Sequence, residues 1–293
     1  MSLLAAAILG LVQAATEFLP VSSTAHLLVF GELLGQSLDD DRFRAFVTII
    51  QSGTTLAVIV YFREELWRLA TAWLRSLRSR NLLETPESRL AWYIALGTVP
   101  AALAGKLLER QIEALGNWVI AGSLAVWGLV LLGAERWARH ARTIADVRAR
   151  DAVLVGIGQA AALVPGSSRS GTTIATGMLL GFRREDAARF SFLLSVPIIL
   201  GAGVYKLKKA LPVLRGEPQW RSATVLATLV ALVAVYAVIG WLLRYLRTRT
   251  TYLFVAWRLA AGVLIAVLLW RGVLPADDDA PRPAPAARAA PAP

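Results

Sequence analysis

Two polar stretches interrupt an otherwise apolar chain and hold the side chains that could do chemistry. The first, residues 13–26, reads Q-A-A-T-E-F-L-P-V-S-S-T-A-H. A serine hydroxyl is an effective nucleophile only beside a base, and histidine has a suitable pKa. The candidate nucleophiles are therefore Ser22, Ser23 and Thr24, with His26 as the candidate base three residues after Ser23. The alternative for His26 is an interior histidine that only makes structural hydrogen bonds.

The second stretch, residues 159–173, reads Q-A-A-A-L-V-P-G-S-S-R-S-G-T-T and precedes a predicted helix. Glycines let backbone N–H groups turn toward a ligand, and a helix N-terminus favours an anion. The planar guanidinium of Arg169 can bridge phosphate oxygens. The alternative is that serine and glycine only cap a helix while Arg169 pairs with an internal acid. Across both stretches the predicted phosphate-binding residues are Ser22, Thr24, Gly166, Ser168, Arg169, Ser170, Gly171 and Thr173.

The first stretch also contains an acidic residue, which the predicted phosphate-binding loop of the second stretch lacks. Glu17 follows Gln13 by four residues, so both lie on one face of a helix. Their oxygens could hold a divalent cation, with phosphate completing the coordination shell. The alternative for Glu17 is a buried ion pair with Arg169.

Composition places these stretches in a membrane protein. Of 293 residues 56% are hydrophobic and 17% are charged, whereas soluble domains carry about 25% charged residues. The chain has no cysteine, which excludes disulfides and thiolate chemistry. Its net charge of +11 does not indicate nucleic acid, because the basic residues fall between apolar segments, as juxtamembrane lysines and arginines do.

Six apolar segments are near the ~20 residues needed to cross a bilayer. Tryptophan or tyrosine stands near many of their ends, as in interfacial belts. The predicted spans are Phe43–Phe62, Leu90–Leu108, Trp118–Trp137, Ala187–Leu207, Ser222–Leu243 and Tyr252–Trp270.

The two polar stretches each divide a pair of apolar segments that are too short to span. The pairs are Leu3–Leu19 with Ala25–Leu34, and Ala152–Val164 with Thr172–Leu180. Short apolar halves with a polar break predict a re-entrant helix–loop–helix, which must be buried in protein or line a wet cavity. A single kinked spanning helix is the alternative for each pair.

The chain therefore predicts an all-α membrane protein built from two similar halves, residues 1–137 and 151–271. Each half has one broken pair followed by three spans, and G-L-V-Q-A-A-T resembles G-I-G-Q-A-A-A. An odd number of spans per half inserts the second half upside down, as an inverted repeat whose broken segments meet near the midplane. Residues 1–271 then form one domain, and the alanine- and proline-rich residues 272–293 form a flexible tail.

Arginines are concentrated in loops 63–89 and 136–150, which the positive-inside rule assigns to the cytoplasm. The first broken stretch then enters from the outer face and the second from the cytoplasm.

At the two polar stretches the sequence resembles the undecaprenyl-diphosphate phosphatase family, bacterial membrane enzymes linked to bacitracin resistance. That family has an [E/Q]-x-x-x-E segment followed by F-L-P-V-S-S-T-x-H, which matches residues 13–26. Its P-G-x-S-R-S-x-x-T segment matches residues 165–173. Gln13 is the permitted variant of the first position, and a glutamine binds metal more weakly than a carboxylate would.

The resemblance implies hydrolysis of undecaprenyl diphosphate to undecaprenyl phosphate, which recycles the lipid carrier of cell-wall synthesis. It implies catalysis by Glu17, Ser23, His26 and Arg169, with Mg²⁺ or Ca²⁺ bound through Glu17 and Gln13. It also implies a multi-pass protein of the bacterial inner membrane with a periplasm-facing site, whose partners are a polyprenyl diphosphate and membrane lipids.

We therefore expect a phosphoanhydride hydrolase in which Ser23 attacks phosphorus and His26 takes the proton. Direct attack by water, with Ser23 only binding phosphate, is left open, as is a homo-oligomer. A lipid-phosphate transporter or flippase is the rival class, because inverted repeats with broken helices are a transporter architecture.

Overall fold

The fold is a bundle of α-helices, seen in a computed structural model that describes residues 1–37, 40–215 and 217–276. The predicted tail therefore lies mostly outside the described residues. Only one isolated β-bridge, between Arg142 and Phe182, accompanies the helices in the described part of the chain. The helices are α1 (Leu3–Glu17), α2 (Ser23–Leu33), α3 (Asp41–Tyr61), α4 (Arg63–Ser79), α5 (Pro86–Glu113), α6 (Trp118–Trp137), a short 3₁₀ helix (Ile144–Asp146), α7 (Ala149–Ala161), α8 (Arg169–Leu179), α9 (Arg184–Arg215), α10 (Pro218–Thr248) and α11 (Tyr252–Trp270).

Five of the described helices, α3, α5, α6, α10 and α11, are long and apolar enough to cross a membrane. They coincide with five of the six predicted spans. The sixth, Ala187–Leu207, lies inside α9, which is helical but is not among the five. Helix α9 contains two prolines and buries Ser191 and Ser195 inside the protein. The all-α membrane class is thus borne out, and a sixth apolar span is not.

Both predicted helix–break–helix segments are present. Helix α1 ends at Glu17 and α2 begins at Ser23, while α7 ends at Ala161 and α8 begins at Arg169. Each second helix is 11 residues long and starts directly after a serine with positive φ, 73° at Ser22 and 68° at Ser168. Such a backbone is strained for a residue with a side chain and is retained mainly at functional sites.

The two halves match in register around these breaks. Gln159 follows Gln13 by 146 residues, and Ser168 follows Ser22 by the same number. The glutamine and the strained serine therefore recur together. The halves also exchange partners, because α1 packs on α10 of the second half and α7 packs on α5 of the first.

Two glycines make this exchange close. A methyl group at Gly10 would stand 2.6 Å from the carbonyl oxygen of Ala227 in α10. At Gly156, which lies 146 residues later, it would overlap the carbonyl oxygen of Gly97 in α5. Small residues let helix backbones approach in this way. Because the hydrophobic effect does not drive helices together in lipid, such close packing is what stabilises their association.

Ion pairs join helices to one another at the arginine-rich end of the bundle. Loop 63–89, predicted only as a cytoplasmic loop, contains the 17-residue helix α4, on which Trp67 is exposed. Glu65 of this helix pairs with Arg189 of α9 at 2.8 Å. Arg184 of α9 pairs with the buried carboxylate of Glu135 at the end of α6. These contacts fix the two halves to each other at one end of the molecule.

Candidate active site

Glu17 is the centre of the candidate site, and its carboxylate joins the two halves of the chain. It stands at the end of α1, where the helix breaks. Oε2 accepts hydrogen bonds from the Ser23 hydroxyl at 2.7 Å and from the Gln13 amide at 2.9 Å. Oε1 accepts from the Arg169 guanidinium of the second half at 3.1 Å. The side chains of Glu17 and Arg169 are 14% and 18% exposed, so the pair is shielded but reachable.

A carboxylate bonded to a serine hydroxyl can act as the base that activates it. Ser23 is the first residue of α2, so its hydroxyl stands at a helix N-terminus. Negative charge that develops there is stabilised by the helix dipole and by the adjacent guanidinium. The arrangement places a serine hydroxyl and a guanidinium on the two oxygens of one carboxylate.

The second loop is fastened to the first by hydroxyl groups. Ser170 donates to the carbonyl oxygen of Leu19 at 2.9 Å, across the interface between the loops. Ser168 caps α8 by accepting from the N–H of Gly171 at 3.1 Å. Thr173 is fully buried and bonds the Ser191 hydroxyl at 2.5 Å. Ser170 and Thr173 thus make structural contacts in this arrangement.

Gly166 requires glycine for two reasons. Its φ is +87°, and an added methyl would stand 2.5 Å from the carbonyl oxygen of Ile120. Of the predicted phosphate ligands in the first loop, Ser22 is buried with the positive φ already noted, and Thr24 lies in the first turn of α2. The loops therefore meet as predicted, with their backbones held in conformations that few residues adopt.

Arg258 in α11 was not singled out from the sequence, yet it holds both loops. Its side chain is fully buried. The guanidinium donates to the carbonyl oxygen of Pro20 in the first loop at 3.1 Å. It also donates to those of Gly166 at 3.2 Å and Ser167 at 2.9 Å in the second. An arginine within an apolar span is a functional signal at bilayer depth, and that signal could have identified it.

His26 does not contact Ser23 in this structure. Its Nδ1 lies 2.7 Å from the carbonyl oxygen of Ser22, and its Nε2 accepts from the indole N–H of Trp257 at 2.8 Å. This pattern requires a neutral ring with the proton on Nδ1. Both nitrogens are engaged, and the group that accepts a hydrogen bond from the Ser23 hydroxyl is the Glu17 carboxylate. The physical reason is that both ring nitrogens of His26 already have partners, the carbonyl oxygen of Ser22 and the indole of Trp257 in α11.

A cavity of about 190 Å³ adjoins the ion pair. Glu17 and Arg169 form part of its wall, and the rest comes from α3, α5, α7 and α9. Both halves therefore enclose the space beside the reactive groups. Its other polar lining residues are Thr48, Gln51, Ser52 and Gln159.

The donors for a divalent cation are few. No group of three histidine, cysteine, aspartate or glutamate side chains capable of holding a metal occurs among the described residues. The Oε1 atom of Gln13 is buried without a hydrogen-bond partner beside the Glu17 carboxylate. Two hard oxygen donors of this kind suit Mg²⁺ or Ca²⁺ when phosphate and water supply the remaining ligands.

Comparison with known proteins identifies the family of the chain. Residues 6–264 match the model of the family described as bacitracin resistance protein BacA. An undecaprenyl-diphosphatase of Anaeromyxobacter sp. (strain Fw109-5) is 74% identical over 94% of this chain and 91% of that protein. One from Myxococcus xanthus is 49% identical over 94% and 91%, and one from Chloroherpeton thalassium is 42% identical over 94% and 100%. The chain therefore belongs to the family of the bacitracin resistance protein BacA.

Proposed function

We propose that this protein is an undecaprenyl-diphosphatase, a membrane enzyme that hydrolyses undecaprenyl diphosphate to undecaprenyl phosphate and inorganic phosphate. One observation carries the proposal. The Glu17 carboxylate bonds the Ser23 hydroxyl at 2.7 Å and the Arg169 guanidinium at 3.1 Å. A base, a nucleophile and a phosphate-binding cation thus meet at one point, which is what phosphoanhydride hydrolysis needs. Relatives named for this activity match nearly the whole chain.

The chemistry follows from these positions. Arg169 releases Glu17 and binds oxygens of the terminal phosphate as a planar fork. Ser23 Oγ forms a bond to the terminal phosphorus while its proton passes to Glu17. The bond from that phosphorus to the bridging oxygen breaks, and undecaprenyl phosphate leaves. Water then hydrolyses the phosphoserine and regenerates the hydroxyl. Such a reaction depends mainly on positioning and charge stabilisation.

Direct attack by water is the competing pathway, with Ser23 serving only to bind phosphate. Glu17 would then activate the water rather than the hydroxyl. Acid-quenched phosphoserine at position 23 supports the covalent route, and a Ser23→Ala variant that keeps most of the rate supports the other.

A divalent cation belongs to the proposal as a cofactor. Gln13 Oε1 and the Glu17 carboxylate would hold it, and it would supply positive charge to the diphosphate oxygens. In this structure Gln13 donates its N–H₂ group to Glu17 at 2.9 Å, so the amide has to turn over before its oxygen can share a cation with the carboxylate.

The membrane arrangement that we propose is an inverted repeat with two re-entrant helix pairs. The matched registers, the two strained serines and the exchange of α1 and α7 between halves support it. The arginine-rich end lies in the cytoplasm of the inner membrane by the positive-inside rule. The first loop then enters from the periplasm, so the site faces that side.

The decisive experiment uses purified protein in detergent, where no second compartment exists. With a soluble prenyl diphosphate such as farnesyl diphosphate, the wild type should release phosphate. Arg169→Ala and Glu17→Ala should release little. Failure of the wild type to release phosphate with any divalent cation would refute the enzyme and leave transport as the function.

Transport is the second candidate because of one feature, the two broken helix pairs that each pack on the opposite half. Broken helices at a repeat interface are a transporter architecture. Movement of a labelled prenyl phosphate across proteoliposomes, without phosphate release in detergent, is the result that would favour it.

A further inference from the structure

Gln159 is the second-half counterpart of Gln13, but its amide group has lost its partner. Gln13 donates to Glu17, which follows it by four residues. Four residues after Gln159 stands Leu163. The second half thus retains the glutamine without the acid that would accept its hydrogen bond.

The amide of Gln159 is left unpaired inside the protein. The residue is 2% exposed. Neither its Nε2 nor its Oε1 has a hydrogen-bond partner. An unpaired amide in a protein interior is destabilising, and native structures rarely retain one without a bound group to satisfy it.

The cavity beside Arg169 supplies the place for such a group. Gln159 and Leu163 both line it, together with Arg169 and Glu17. Its volume of about 190 Å³ is several times that of a water molecule. Thr48 and Ser52 of α3 also line it, and they donate their hydroxyls to carbonyl oxygens of their own helix. They are therefore occupied as donors.

Gln51 is the other amide that faces this space. Its side chain makes no hydrogen bond with any described residue, and it lines the cavity from α3. Besides the Glu17 carboxylate that pairs with Arg169, the cavity thus presents one guanidinium and two neutral amides. That combination suits an anion rich in oxygen acceptors.

We propose that Gln159 binds the second phosphate group of the diphosphate, the one that leaves with the prenyl chain. This inference rests on the proposed function. Its amide N–H₂ donates to that group while Arg169 binds the terminal phosphate. Gln51 supplies a further donor from the first half. The site then recognises a diphosphate by contacts at both phosphorus atoms, and Gln159 is a specificity-determining residue.

The test compares Gln159→Leu and Gln159→Glu with the wild type in detergent, with farnesyl diphosphate as substrate. Leucine keeps the approximate shape but removes the donor, and a hydrogen bond to a charged group is lost. We expect KM to rise about 10- to 100-fold. Gln159→Glu keeps the shape and adds an anion, so its KM should rise further.

Thermal stability separates this role from a structural one. Gln159→Leu removes an unpaired buried amide, so its Tm should equal or exceed that of the wild type while its KM rises. Trp73→Phe is the matched control, because Trp73 Nε1 is also buried and unpaired but lies outside the cavity. Its KM should not change.

Two outcomes would overturn the assignment. One is a wild-type KM in both Gln159 variants. The other is a lowered Tm in Gln159→Leu with loss of kcat at unchanged KM, which would mark a packing residue. Absence of phosphate release by the wild type would instead refute the proposed function itself, so the two failures are distinguishable.

Discussion

Replacing Arg258 by leucine should disable the site without touching a reacting group. The buried guanidinium donates to three carbonyl oxygens in the two loops, those of Pro20, Gly166 and Ser167, at 2.9–3.2 Å. Leucine leaves all three without this donor. Each unsatisfied buried carbonyl costs about 1–3 kcal/mol, so the loop arrangement loses at least about 3 kcal/mol.

That loss is large relative to the stability of a folded domain, but we expect it to displace the loops before it unfolds the bundle. About 1.4 kcal/mol corresponds to a factor of ten in an equilibrium constant. The equilibrium constant between correctly placed and displaced loops should therefore fall about 100-fold, and we expect kcat/KM to fall by up to that factor. Arg258→Lys retains the charge but not the fork that spans both loops. It should lose about tenfold in kcat/KM, an intermediate result.

The assay is phosphate release in detergent, with Tm measured on the same samples. Arg271→Leu is the matched control, because Arg271 is exposed at the end of the same helix. Its activity should match the wild type. Wild-type kcat/KM in Arg258→Leu would refute the reasoning that this arginine positions the loops. Equal losses in the leucine and lysine variants would refute the role of its fork.

Three further predictions concern packing, the base and the cation. Gly156→Ala should lower stability by about 1–3 kcal/mol, seen as a lower Tm, because the methyl group overlaps the carbonyl oxygen of Gly97. Gly122→Ala is its control, since nothing lies within 4 Å of the added methyl. Glu17→Ala should lower kcat more than His26→Ala, and the reverse order would restore the histidine as the base. Chelation of divalent cations should abolish phosphate release and added Mg²⁺ or Ca²⁺ should restore it, whereas full activity in excess chelator would exclude the cofactor.

Local patterns in the sequence were sufficient to predict five of the long helices and the two breaks between short ones. Apolar segments near 20 residues identified five helices that the structure also makes long and apolar. Proline, glycine and serine between short apolar segments located both breaks to within a few residues of Glu17 and Ala161. These features depend on residues close together in the chain, which is why they can be read from it.

Contacts between distant parts of the chain could not be read in the same way. The pairing of Glu17 with Arg169 required an assumption that the two halves meet. The bond from Trp257 to His26 joins residues whose order in the chain gives no sign of contact. Arg258 was overlooked because its segment was classified by average hydropathy. A single charged side chain at bilayer depth has a high energetic cost, which the average does not reveal.

The central claim is that both halves of the chain build one active site, and a double-mutant cycle on Glu17 and Arg169 tests it most directly. The variants are Glu17→Gln, Arg169→Gln and the double variant, with kcat/KM for farnesyl diphosphate as the measurement. Groups that act as one unit are strongly non-additive. We predict that the double variant is no slower than the slower single variant, a coupling of about 1.5–3 kcal/mol for a charge-assisted pair. Losses that multiply, so that the double variant is slower by the product of both single effects, would contradict the account.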